Sequence, residues 1–532
     1  MAFSGICLIY KNSVENDQLS NLPGARLSEV KWDASFGCLS GTRTGLLDEI
    51  LDWIRTGSES ILWLSGALGT GKSAVTNSLA EKLDHMKLLG AFFRFSRSIQ
   101  GITPKHLFGS IAFQMALVNR SYEEAVLAAL TQYRSFDSQS LDFQAEHLIL
   151  QPLAKLEFGC KIVIIIEALD ESGTDEAIAG LANRSALVKC IVTKFGKLPS
   201  FVKIIITARN EGSIQNSFVN KSFIIEKRMD QVMDAGSDII TYFGYQFKQI
   251  RNDHPTLSED WPGKKKETQL VDAADNLFVW AVVACSLIQD DPYAQLDMLL
   301  KLDFRLQDGA RLEKLYAHIL ETNYITRDIQ NWHYVVGTIV VLQKPLTVQS
   351  IDSLLGLSIT DYSKTLITGH SITLSSSKLI LKKMLPLMKN QLDADPVQLL
   401  HKSVYDFLMH EAKVPFRIDI RTQNLVLAMQ CLQHMNQNLK CNICDMKDTA
   451  LLNSEISEPV EYYIPESVQY ACCFFFNHLE SGSVRMNQEF CKTINTFIQE
   501  HILHWIEVMS WLEKIGHAAK VLNSFLEYLV CY

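Results

Sequence analysis

The sequence predicts an α/β domain, a parallel sheet with helices on both faces, followed by mainly helical domains that include a winged helix. Three observations predict it. Short apolar runs at 61–64, 91–95, 161–166 and 202–207, the last two largely β-branched, are separated by stretches of helical spacing, the alternation that builds parallel sheets. The first run passes directly into a glycine-rich loop and then a helix. After Asp230 strand signals become rare and helical pattern carries the chain to its end.

Taken in order, residues up to about Gly37 show weak periodicity and turn formers such as Leu22-Pro23-Gly24, and read as a lead-in arm. Apolar Leu46, Leu47, Ile50, Leu51 and Ile54 predict an amphipathic helix capped near Thr44. Ile61-Leu62-Trp63-Leu64 reads as a strand buried on both faces. Ala91-Phe92-Phe93-Arg94-Phe95 reads as a second. Thr103 is placed to cap a helix with Pro104 at its first position, and helical pattern recurs near Tyr122–Leu130 and Gln144–Leu156. Lys161 to Ile166 is the most β-branched run of the chain, and Val202 to Thr207 forms another strand. Further on, Val335–Leu342 and Leu346–Leu357 read as helix, turn, helix. Short strands are expected at 371–374, 379–381 and 397–401, which together make a winged-helix pattern; from about Asn424 the chain reads as helices.

The loop carries the chemistry. Gly66, Ala67, Leu68, Gly69, Thr70, Gly71, Lys72 and Ser73 fit G-x-x-x-x-G-K-[ST], and Ala74 continues into helical spacing. Glycines let the backbone curl so that N–H groups converge on a phosphate, and the following helix adds the positive end of its dipole. Lys72 supplies a mobile charge for the outer phosphates, and Ser73 a hydroxyl for Mg²⁺. A glycine-rich turn with an incidental lysine is the alternative; the strand before and the helix after argue against it. The expected ligands are therefore ATP or ADP with Mg²⁺.

Hydrolysis needs a second strand whose end presents carboxylates. Glu167 stands where a strand-end carboxylate holds Mg²⁺, while Asp170 and Glu171 complete the metal's outer ligands or serve as general base. Arg209, at the end of the 202–207 strand, is placed to touch the terminal phosphate. Gly41 and Arg43, just before the first strand, are candidates for contacts to the base. His401 opens His401-Lys402-Ser403-Val404-Tyr405-Asp406 at a strand-to-helix junction, from which an imidazole can face an anion; taken alone, such a histidine is more often a core or capping residue.

Composition narrows the remaining classes. With 532 residues, 47% hydrophobic and 20% charged, the chain is globular and of about three or four domains. A net charge of −9 argues against nucleic acid as the main ligand. Twelve scattered cysteines fit reduced thiols and a cytoplasmic location. Cys441-Asn442-Ile443-Cys444 is a lone C-x-x-C without a second pair at zinc spacing. The N-terminus has no basic lead for a signal peptide, and the most apolar stretch, Leu277 to Ile288, is shorter than a membrane span and reads as a buried helix.

As a set, these segments resemble the NACHT-type nucleotide switches of the STAND class, in the large fungal branch described as nephrocystin-like. The residues that carry the resemblance are Cys38-Leu39-Ser40-Gly41-Thr42-Arg43, Trp63 to Ser73, and Ile166-Glu167-Ala168-Leu169-Asp170-Glu171. Thr207-Ala208-Arg209-Asn210-Glu211, Asn276-Leu277-Phe278-Val279-Trp280-Ala281 and the His401 segment are similar to the family's later blocks. The resemblance implies a P-loop domain over 38–228 after an arm at 1–37, a helical lid at 229–330, a winged helix at 331–415 and a helical domain at 416–532. It further implies that ADP held in a closed form is exchanged for ATP, that self-association follows, and that His401 contacts the β-phosphate of ADP. Fungal relatives are tied to self/non-self recognition and cell death. This chain departs from them in having Glu167 for the usual aspartate and Thr-Ala-Arg-Asn for Thr-Ser-Arg-Pro. It also shows neither repeat sensor nor full effector, which leaves two expectations open: a protein partner that supplies one in trans, or a shortened form of a longer repeat-containing protein.

Overall fold

In the computed structural model the described residues are 18–25, 27, 31–96, 102–133, 135–156, 161–173, 178–232, 235–302, 310–325, 328–357, 364–365, 371–372, 377–389, 392, 395–446, 460–482 and 488–531. The chain divides into two compact units, Met1–Arg305 and Leu306–Tyr532. The division falls inside the 229–330 segment.

The first unit is built on five parallel strands, β1 (Ile61–Ser65), β2 (Leu89–Arg94), β3 (Ile162–Glu167), β4 (Val202–Ala208) and β5 (Ile224–Arg228), in the order β2-β3-β4-β1-β5. Side chains alternate across it. Ile61, Trp63, Phe93, Ile164, Ile166, Ile204 and Ile206 enter the core on one face. Leu62, Leu64, Phe92, Val163, Ile165 and Ile205 enter the core on the other, against the apolar stripes of α1 (Thr44–Thr56) and α2 (Lys72–His85). This two-sided burial is why the strands read as continuous apolar runs. The first face is covered by α3 (Lys105–Val118), α4 (Arg120–Gln132), a helical run at 141–154 and α5 (Ile178–Lys194).

β2 is an edge strand, and its backbone is not left open. Gln114 of α3 accepts from Phe92 N at 3.0 Å and donates to Phe92 O at 2.9 Å, imitating a neighbouring strand. β5, the other edge, is absent from the sequence reading: its Glu226, Lys227 and Arg228 hide a five-residue strand whose side chains are largely solvated. Two helix starts also differ. Arg43, with φ +54°, occupies the cap position of α1 and makes no side-chain cap, and Pro104 rather than Thr103 precedes α3. The unit continues through α6 (Gly212–Phe218), α7 (Ala235–Asp253), α8 (Lys264–Ala274), α9 (Phe278–Asp290) and α10 (Pro292–Lys301). α9 is buried, as its apolar sequence predicts. Of the lead-in arm, residues 1–17 lie outside the described residues, while Leu19, Leu22 and Ala25 are buried in the sheet's first core.

The second unit is helical. The predicted helix-turn-helix is present as Ile329–Val341 and Val348–Leu355, with Thr347 capping the second helix and Gly356 (φ +62°) ending it. The expected strand at 379–381 is instead part of the helix Ser377–Lys382, begun where Asp352 accepts from Ser377 N at 2.9 Å. Three apolar residues cannot by themselves separate strand from helix. Of 371–374, Ser371–Ile372 pair with Lys364–Thr365, and 373–374 lie outside the described residues. The expected strand at 397–401 reduces to one antiparallel bridge, Met388 to Leu399. Ile420–Asn438 and Glu466–Ser481 form the main helical pair of the C-terminal part. Among the described residues, no helix is long and apolar enough to cross a membrane.

Candidate functional site

The glycine-rich loop leaves the carboxyl end of β1 and enters α2. Gly69 (φ +80°) and Gly71 (φ +90°) hold left-handed backbone that other residues adopt only under strain. A Cβ on Gly69 would lie 2.4 Å from Val279 Cγ1, whereas one on Gly71 would meet nothing within 4 Å. The loop is thus tightly packed at Gly69 and open at Gly71, at the amino end of α2.

Lys72 folds back over this loop. Its ammonium donates to Gly66 O at 2.7 Å and Ala67 O at 2.8 Å. Burial pulls its pKa down to about 8, with Arg209 adding to the fall, while Asp170, Glu167 and Glu171 oppose it. The same four groups predicted from sequence therefore surround the lysine closely enough to act on its charge. Ser73 is exposed on the first turn of α2, and its carbonyl accepts from Asn77 Nδ2 at 2.7 Å.

The carboxylates are held by arginines. The register of β2 on β3 sets Arg94 beside Glu167, and Arg94 Nε donates to Glu167 Oε2 at 2.8 Å. Asp170, whose side chain is 4% exposed, pairs through Oδ2 with Arg209 Nε at 3.1 Å and through Oδ1 accepts from Arg209 N at 3.2 Å. Arg184 donates to the carbonyl of Asp170 at 2.8 Å and pairs with Glu211 at 2.9 Å, so the acidic turn is fixed from both sides. Ala168 takes φ +56°, and its N–H donates to Thr207 Oγ1 at 2.8 Å, locking β3 to β4 at the turn. Among the described residues no group of three or more His, Cys, Asp or Glu side chains is arranged to hold a metal. Glu167 and Asp170 each carry an arginine in this arrangement, so a Mg²⁺ bound directly at Glu167 Oε2 or Asp170 Oδ2 would have to displace a guanidinium.

On the other side of the loop Arg43, 4% exposed, donates from Nη2 to Thr70 O at 3.1 Å, lies 4.9 Å from the Phe278 ring centre and pairs with Asp238 at 3.7 Å. Its Nε and Nη1 have no hydrogen-bond partner. Burial lowers the pKa of this guanidinium, and Asp238 and Cys38 act against the fall. Nε faces Asp238, which leaves the buried Nη1 beside the phosphate loop as the N–H that an acceptor-rich ligand such as a nucleotide fits. The start of α9 completes the wall: Val279 N donates to Gly69 O at 3.4 Å.

His401 belongs to the second unit and works there as a helix cap. Its Nδ1 accepts from Ser403 N at 3.2 Å and lies 2.8 Å from Ser403 Oγ, which is 2.7 Å from Tyr316 OH. Accepting at Nδ1 places the proton of the neutral ring on Nε2. In the C-x-x-C, burial and Glu507 push the Cys444 thiol up to about 11, against a thiolate role.

Two functional candidates escaped the sequence reading, Arg94 and Asn77. The available signal was an arginine closing an otherwise apolar edge strand.

A glycine-rich loop between an interior strand and its helix, with an acidic strand end nearby, defines a P-loop NTPase fold. Residues 41–209 match the family model described as nephrocystin 3, N-terminal. No curated protein matches the chain. Among solved structures, the chain is similar to a STAND protein with a tetratricopeptide repeat sensor from Pyrococcus horikoshii, at 11% identity and TM-score 0.39, over 93% of this chain and 66% of that one. It is also similar to the ORC2 protein of Aeropyrum pernix, at 12% identity and TM-score 0.30, over 71% of this chain and 98% of that one. A third similarity is to Cdc6p of Pyrobaculum aerophilum, at 12% identity and TM-score 0.31, over 70% and 96%.

Proposed function

We propose that this chain is a nucleotide-binding switch of the NACHT type within the STAND class, holding ADP in one state and ATP in another. Exchange is coupled to conformational change and self-assembly, in signalling or self/non-self defence of the fungal kind. One observation carries the reading. Lys72, set on a strand-loop-helix P-loop, is the common electrostatic neighbour of Asp170, Glu167, Glu171 and Arg209, residues from two other strand ends. Around it, Arg43 and the first residues of α9 touch the loop backbone directly, so a change at Gly69 or Thr70 is felt by the helical segment that follows the sheet. Denaturing the purified chain and identifying the released nucleotide by ion-pair chromatography tests the reading. Stoichiometric ADP is expected; an empty chain that also takes up no added ADP would contradict it.

A second reading, a nucleotide-stabilised scaffold with little hydrolysis, is favoured by one feature. Asp170 and Glu167, which a hydrolase would use on a metal or on water, are both in ion pairs. ATP turnover by the natural chain separates the two readings.

A further inference from the structure

Glu167 ends β3 with its side chain only 2% exposed. A carboxylate buried to that degree must be paired, and beside a phosphate loop the usual partner is a divalent cation. Here the partner is part of the chain. Arg94 reaches across from β2 with Nε on Glu167 Oε2 at 2.8 Å, and its Nη2 donates to Asn77 Oδ1 at 3.2 Å. Asn77, fully buried on α2, passes the link on by donating from Nδ2 to Ser73 O at 2.7 Å, and its Oδ1 also accepts from Asp33 N at 2.9 Å. The guanidinium lies 5.5 Å from the Phe92 ring centre. Two of the three residues from which sequence predicts metal ligation, Ser73 (through its carbonyl) and Glu167, are thus joined through Asn77 and Arg94, while the third, Asp170, pairs with Arg209. A guanidinium fixed at three points is a stable counter-ion, and a cation bound directly at Glu167 Oε2 must displace it.

We propose that Arg94 is the built-in counter-ion of Glu167, standing in for the charge of a divalent cation, so that this site takes a nucleoside di- or triphosphate with little dependence on Mg²⁺. The inference rests on the nucleotide-binding reading above and adds to it how the site balances charge. Arg94 acts through Glu167 and Asn77 and is a positioning residue.

The test is calorimetric titration of the full, nucleotide-stripped chain with ADP, once in Mg²⁺ and once in EDTA, for the natural protein, Arg94→Gln and Arg94→Lys. The natural protein is expected to bind with Kd values within about threefold of each other in the two media, and Arg94→Gln at least about tenfold more tightly in Mg²⁺ than in EDTA. Arg94→Lys keeps the charge and should stay near the natural ratio. A natural protein that needs Mg²⁺ by about tenfold or more, or an Arg94→Gln ratio equal to the natural one, overturns the proposal. Should Arg94→Gln fail to fold, the natural protein's ratio and that of Arg94→Lys still decide. Binding in neither medium removes the nucleotide reading itself, whereas Mg²⁺-dependent binding removes only the role of Arg94.

Discussion

Lys72 shows how one residue can be read correctly by type and still hold a surprise in its state. The motif fixes its place, but its pKa of about 8 comes from burial beside a loop whose carbonyls it caps. The sign of the consequence is definite. Below about pH 8 the free protein already carries the ammonium that a phosphate wants; above it the lysine is neutral, and binding must take up a proton. A phosphate bound there would raise the lysine's pKa in the complex. The Kd for ADP is therefore expected to be flat below pH 7 and to rise toward about tenfold per pH unit above 8, with proton uptake visible as a buffer-dependent calorimetric enthalpy. A flat profile to pH 9.5 would contradict the assignment of this lysine to the phosphates. Arg94 is the converse case: its type and position were in plain view, but only the β2–β3 register reveals that it faces Glu167.

The phosphate loop, as an element, is defined as much by what packs on it as by its own glycines. Gly69 and Gly71 share a left-handed backbone, yet only Gly69 is pressed against α9. Replacing Gly71 with alanine is expected to destabilise by about 1–2 kcal/mol, the strain of a left-handed alanine. Gly69→Ala adds the clash with Val279 and should lose about 1–3 kcal/mol more. Urea unfolding of the two variants checks the order, and equal losses would mean that α9 does not brace the loop. The strands and the loop were legible because burial on both sheet faces leaves continuous apolar runs and because the loop has a fixed pattern. β5 was not, since a short edge strand exposing charged side chains carries neither signal. The helix at 377–382 was misread as a strand, its brief apolar run being set by Asp352 at its start rather than by its own period.

For the whole molecule, legibility declines along the chain. The first unit follows from strand runs and one motif, and the match to the nephrocystin 3 N-terminal model ends at residue 209, near the end of β4. Beyond it the chain is held by helix contacts whose partners a sequence does not name, such as Tyr470, which accepts from Gln343 N at 2.9 Å and lies 2.8 Å from His478 Nε2. Burial pushes the His478 pKa down to about 3, so it carries no charge at neutral pH. The proposed nucleotide site lies in the first unit, on Lys72. The most direct measurement is calorimetric titration of ADP into the stripped natural chain and into Lys72→Ala, with the fold of each confirmed by thermal unfolding. Binding by the natural chain and a loss of at least about 100-fold in a folded Lys72→Ala is the predicted result. Equal binding by both would contradict the account.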